Sequence, residues 1–166
     1  MRNLLVRFAS RYITPYIFKF SDQPMLYIEL LQANKNFDDG VDLQKNIQGF
    51  RVRLGRMYIV FGVFWNIFVL FVSGIIHFVL VHIDCHILIL LSIAMTIIFF
   101  ASFAIFKATL IELISKRLIQ KAWKNHFPHF PYDDYHAKVA KLYSEALEQD
   151  IPKKELQLFI INKIVE

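Results

Sequence analysis

Two long apolar runs without a charged residue, Met57–Val81 and Ile87–Phe106, stand back to back in the middle of the chain, parted only by His82-Ile83-Asp84-Cys85-His86. A hydrocarbon core about 30 Å thick is crossed by roughly 20 apolar residues in helical form, and both runs reach that length. The second run holds thirteen Leu, Ile or Phe residues. At about −0.3 to −0.6 kcal/mol each, these favour insertion by roughly 4–8 kcal/mol. Its polar members, Ser92, Thr96 and Ser102, can return their hydroxyls to their own helix carbonyls and subtract little. The first run interrupts its Phe, Val and Ile with Asn66, Ser73 and His77, and its 25 residues exceed a perpendicular span, so a tilt is expected. The pattern predicts a transmembrane helical hairpin over residues 57–106, with spans 57–81 and 87–106 and a turn at 82–86.

Outside the hairpin, apolar positions recur at helical spacing and no segment alternates as a strand does. The expected fold class is therefore all-α, an integral membrane hairpin with amphipathic helical arms. Residues 1–20 carry Arg2, Arg7, Arg11 and Lys19 and no acid. Wound as a helix they read as a basic amphipathic segment that lies in a lipid interface, ending at Thr14-Pro15. The same acid-poor composition describes a mitochondrial transit peptide, although a retained surface anchor or internal signal is the expectation. Residues 21–56 predict short helices leading to the membrane. The first, around Pro24–Asn34, is capped by Ser21 or Asp22 and has Leu26, Leu30 and Ala33 on one face. A polar turn at 34–40 follows, and then a helix capped by Asp42 that passes Ile47 and Phe50 into the first span, with Gly49 and Gly55 as places to bend.

Over 107–166 the second span should continue as a helix into water until His126-Phe127-Pro128-His129-Phe130-Pro131-Tyr132 breaks it with two prolines. Asp133 or Asp134 restarts the helix, and Val139, Tyr143, Ala146 and Leu147 share a face. Asp150-Ile151-Pro152 breaks it again before Lys153–Val165, whose Leu156, Phe159, Ile160 and Ile164 form a face too apolar for water.

Charge orients the hairpin. Arg51, Arg53 and Arg56 precede it, Lys107, Lys116, Arg117, Lys121 and Lys124 follow it, and the connecting turn has Asp84 but no Lys or Arg. Basic residues mark the side from which insertion occurs, so both termini are expected in the cytoplasm, or in the matrix of a mitochondrion, with only the turn on the far side. The formal net charge of +5 then reflects topology; no basic stripe with interleaved aromatics indicates a nucleic-acid partner.

Candidate chemistry is sparse. The single cysteine, Cys85, excludes an internal disulfide and a thiolate zinc cluster. His82, Asp84, Cys85 and His86 are the weak metal candidates at the turn, and His126, His129, Asp133, Asp134 and His136 form a second group around the aromatic–proline break. Neither spacing matches a ligand pattern, and ordinary interface and capping roles account for both. No metal or other cofactor is expected. Asn66 is expected to bond a neighbouring helix, with Gly62, Ser73, Gly74, Ala104 and Ala108 allowing close approach. Phosphate loops, nucleophile elbows and zincin motifs do not occur, so no catalytic residue is assigned and an enzyme is not expected.

The functional expectation is a non-catalytic accessory, structural or assembly subunit of a multi-subunit inner-membrane complex, mitochondrial or bacterial. Its partners would be membrane lipid and other membrane subunits, contacted through Trp123, Phe127, Phe130, Leu156, Phe159, Ile160 and Ile164. The alternative is a homo-oligomeric channel or scaffold, for which Asn66, Ser73 and His77 would supply the polar stripe. A metal- or haem-binding membrane protein using the histidine groups ranks third.

Overall fold

Leu54–Leu80 and Cys85–His126 wind into helices because they hold no proline and are dominated by apolar residues up to Phe106, where Asn66, Ser73, Ser92 and Thr96 bond back to their own helices. The computed structural model describes residues 12–21, 23–41, 47, 49–80 and 85–165, without the side chains of 76–80 and 85. Among them, six helices follow in order: α1 (Thr14–Ile17), α2 (Tyr27–Asp38), α3 (Leu54–Leu80), α4 (Cys85–His126), α5 (Tyr132–Glu148) and α6 (Leu156–Val165). Two short strands, β1 (Phe18–Lys19) and β2 (Arg51–Val52), pair as a ladder. The chain is mostly helical, and α3 and α4 are long and apolar enough to cross a membrane.

The chain divides into two units, residues 1–19 with 52–110, and residues 20–51 with 111–166. Charge divides with them. The first unit holds seven Lys or Arg against one acid, Asp84, and the second holds twelve against thirteen.

In the first unit, α3 and the apolar part of α4 meet along an aromatic seam. Tyr58 stacks on Phe103 with ring centroids 3.9 Å apart. Phe61 contacts Phe99, Phe103 and Phe106 at 5.3, 5.4 and 5.3 Å, and Trp65 meets Phe99 edge-on at 5.5 Å. Such pairs contribute about 0.5–1.5 kcal/mol each beyond area burial. The small residues do not carry this packing: a Cβ added at Gly62 or Gly74 would meet nothing within 4 Å, and Ala104 and Ala108 are exposed. Nor does Asn66 reach across, because its Nδ2 donates to the Gly62 carbonyl of its own helix at 2.8 Å. Between α3 and α4, then, the small residues and the amide make none of these contacts. Large planar rings fill the gap between the helices, so close backbone approach is unnecessary.

The amino-terminal segment also departs from expectation. Pro15 does not end a helix but sits in the first turn of α1, where a missing N–H costs nothing. Ile17, Phe18 and Met57 are buried. The Arg53 N–H donates to the Ile17 carbonyl at 2.9 Å. Arg56 lies over the Tyr16 ring, 4.9 Å from its centroid, and its Nη1 donates to the Tyr16 carbonyl at 3.4 Å. Residues 1–11 of the predicted interfacial helix lie outside the described residues.

In the second unit, α2 packs chiefly on α5, and α5 on α6. Helix α2 begins at Tyr27 rather than Pro24, and the cap comes from inside: the Leu26 N–H donates to Glu29 Oε2 at 3.0 Å. The helix runs through the expected polar turn to Asp38 and stops at Gly40, with φ +67°. Leu30, Leu31 and Ala33 are buried, whereas Leu26 is exposed. The helix expected to lead from Asp42 past Phe50 into the span is replaced, among the described residues, by a turn at Gly49 and strand β2; Asp42 itself lies outside them. Gly49 has φ +72°, and a Cβ there would stand 2.3 Å from Ser21 Cβ, so only glycine fits. Helix α4 runs unbroken to His126, as the sequence implied, and the two prolines separate it from α5.

Candidate functional site

The polar side chains of the second unit gather where α2, the end of α4 and the start of α5 meet. Asn34 is 1% exposed, and its Nδ2 donates to the His136 carbonyl at 2.7 Å. The His136 ring stacks on Tyr132 at 4.9 Å, and its Nδ1 lies 3.5 Å from Asp38 Oδ1. Tyr132 meets Trp123 edge-on at 5.3 Å. The indole Nε1–H of Trp123 donates to the Phe130 carbonyl at 2.7 Å, closing the proline-rich break into a fixed loop. On the other side of Phe127, Tyr27 packs against both His126 and Phe127, and His126 Nε2 lies 2.8 Å from the Met25 carbonyl. Apart from the Tyr132–His136 stack within α5, these ties fasten one segment to another.

The electrostatics agree with a structural role. Burial pushes the Tyr27 phenol well above its ordinary value, and it pushes Tyr143 up as well. Tyr132 is pushed up to about 12, first by burial and then by the charges of Asp38 and Asp133. Phenols held this firmly protonated are packing groups with a polar tip, not proton carriers near neutrality.

The residues singled out in the sequence fall as follows. His82 and Asp84 lie outside the described residues, as does the Cys85 side chain. Cys85 and His86, placed by sequence in the turn, belong to the first turn of α4, and His86 is exposed. Among the described residues no three His, Cys, Asp or Glu side chains assemble as a metal-binding group. His126 and His136 are engaged with different partners, and His129 is exposed. In the spans, Ser73 donates to Leu70 O, Ser92 to Ile89 O and Thr96 to Ser92 O, so these hydroxyls, like the Asn66 amide, are committed to their own helices.

The apolar face reserved for partners is largely used internally. Trp123, Phe127, Leu156, Ile160 and Ile164 are each 6% exposed or less, and only Phe130 and Phe159 are part-exposed. This corrects the premise that these side chains are bare on a single chain: α2 and α5, distant in sequence, supply the cover. Sequence reasoning singled out His136 but missed its tie to Asn34, since an Asn in a polar stretch carries no mark of a partner 102 residues away. Among the described residues two open grooves remain: one of about 480 Å³ lined by Phe20, Met25, Ile47, Phe50, Leu118 and Lys121, and one of about 830 Å³ lined by Arg117, Lys124, Pro128, His129, Phe130 and Asp133.

By contrast, the hairpin helices stay bare. In the most apolar eighteen-residue window of each, 6% of the residues are buried. Among the described residues twenty-eight large apolar side chains stand exposed, and twenty of them lie between Leu54 and Ile105. No family model, curated protein or solved structure matches the chain.

Proposed function

We propose that α3 and the apolar part of α4 enter an inner membrane, bacterial or mitochondrial, as a two-span hairpin. The flanking segments remain in the cytoplasm or matrix. The protein serves there as a non-catalytic structural or assembly subunit of a larger membrane complex. The observation that carries this reading is that in the most apolar window of α3 and of α4 only 6% of the residues are buried. A core helix of a soluble protein would bury that surface, and soluble monomers rarely leave contiguous apolar patches beyond a few hundred Å².

Two further observations support it. The second unit is built from chain on both sides of the hairpin, because α2 precedes α3 and packs on α5, which follows α4. Such a unit forms only if both flanks share a compartment, as an even number of crossings requires. A scaffolding role is supported by the commitment of the span hydroxyls and amide to their own helix carbonyls and by the firmly protonated buried phenols.

The insertion reading is tested by alkaline carbonate extraction together with labelling of Cys85, the only cysteine, by an impermeant maleimide. Retention in the pellet and labelling from the far side alone are expected; release into the wash overturns the hairpin. The subunit role is tested by the mass of the gently solubilised particle. Distinct partner chains in fixed stoichiometry are expected, whereas a homomer of this chain alone overturns the role in favour of a homo-oligomeric channel or scaffold.

A further inference from the structure

The first unit concentrates positive charge at one end of the hairpin. Its sequence has no Asp or Glu in residues 1–19, and Asp84 is the only one in residues 52–110. Arg53 and Arg56 stand exposed at the start of α3. Lys19, also exposed, is held at the same end because Ile17 and Tyr16 accept hydrogen bonds from Arg53 and Arg56. Lys107 belongs there too, one helical turn past Phe103, on which Tyr58 stacks. Tyr16 and Tyr58, 40% and 43% exposed, lie among these cations.

We infer that Lys19, Arg53, Arg56 and Lys107, with Tyr16 and Tyr58, form a docking surface for the headgroups of anionic phospholipids. The inference rests on the hairpin reading and names the lipid class that its basic end selects. Charge complementarity identifies the occupant: four cations share one end of a unit whose only acid, Asp84, falls between the two apolar runs in the sequence. The anionic leaflet is the negatively charged surface that a membrane presents at that depth. Tyrosines are suited to the headgroup level, with an apolar ring and a polar tip. Guanidinium forks match phosphate oxygens in pairs, and the Arg56–Tyr16 stack fixes one such fork before lipid arrives, which lowers the ordering cost of binding.

The test uses the full chain purified in an uncharged maltoside detergent, with bound lipid counted by native mass spectrometry. Dioleoyl phosphatidylglycerol is expected to bind roughly tenfold more tightly than dioleoyl phosphatidylcholine, a selectivity of the size that a few surface cations confer. It should collapse toward parity in Arg53→Gln/Arg56→Gln, fall in Lys19→Gln/Lys107→Gln, which leaves the Tyr16 clamp intact, and recover only in part in Arg53→Lys/Arg56→Lys, which restores the charge but not the fork. Equal binding of the two lipids by the unaltered chain, or selectivity unchanged in both glutamine variants, overturns the inference. Displacement of the lipid by glycerol 3-phosphate or polyglutamate at equal concentration also overturns it, in favour of a soluble phosphate or an acidic protein. Carbonate extraction in parallel separates the two readings. A chain retained in the pellet without lipid selectivity defeats the headgroup surface alone, whereas a chain released into the wash defeats the hairpin and this surface with it.

Discussion

Placing arginine on the bare face of α4 separates lipid from water as the surroundings of the hairpin. Ile93 and Ile97 are 53% and 64% exposed. If water surrounds them, replacing both with arginine removes little packing and should change stability by less than about 0.5 kcal/mol per site. If lipid surrounds them, each substitution forfeits about 0.3–0.6 kcal/mol of isoleucine insertion and adds about 2.5–3.5 kcal/mol for the charge near mid-span. The pair then costs about 6–8 kcal/mol, against the roughly 4–8 kcal/mol that the Leu, Ile and Phe residues of Ile87–Phe106 supply. Ile97→Arg alone should leave the span mostly inserted, while Ile93→Arg/Ile97→Arg should bring insertion to balance or below. The apparent insertion free energy is read from a glycosylation reporter placed after the span in microsomes. Leu158→Arg on α6, equally exposed at 66%, is the water-facing control and should be silent in a stability assay. A double variant that crosses the microsomal membrane as completely as the original span refutes the reasoning.

Three other outcomes follow from the second unit. Gly49→Ala puts a side chain at φ +72° with its Cβ 2.3 Å from Ser21 Cβ; a loss of about 2 kcal/mol or more is expected in denaturant titration, with Ser21→Gly recovering only part because the Ser21 backbone also stands close. Asn34→Ala strips the His136 carbonyl of its donor at the α2–α5 seam and should cost about 1–3 kcal/mol, seen as a lower urea midpoint with native helicity retained below it. Tyr132, pushed up to about 12 in the folded chain from an ordinary value of 10, gives alkaline sensitivity of a defined sign. The folded state holds the proton more tightly, so this contribution is fully present below pH about 10 and is lost as pH rises toward about 12. Thermal melts across that window should fall less steeply for Tyr132→Phe than for the unaltered chain.

What could be read from the sequence divides by range. The two apolar helices, the extension of α4 to His126 and the break at the two prolines were legible because each depends on its own run of residues: length, absence of charge, and proline sterics. The direction of the Leu156, Ile160 and Ile164 face was legible too, but not what covers it, since that depends on α2 and α5 meeting from opposite sides of the hairpin. Asn34 fits a polar turn by local preference, yet in the fold it is helical and buried, with its amide donated to the His136 carbonyl. The aromatic seam between α3 and α4 was not legible for a related reason. Small residues were visible as a pattern, whereas the register that sets Tyr58 on Phe103 and Phe61 on Phe99 is a property of two helices together. Strand β2 replaced a helix because Gly49 turns the chain where helical spacing alone would have carried on.

The split construction of the second unit has a consequence for biosynthesis. Helix α2 leaves the ribosome about a hundred residues ahead of the segment that Asn34 grips, an interval of roughly 5–20 s at ordinary elongation rates. Throughout that wait Leu30, Leu31 and Ala33 have no native cover, so a nascent-chain chaperone or the bilayer surface must shield them. For a hairpin inserted as proposed, completion of the unit would also act as a checkpoint on threading: a polypeptide that crossed only once would strand the two halves in separate compartments and leave a greasy, protease-sensitive helix to mark the error.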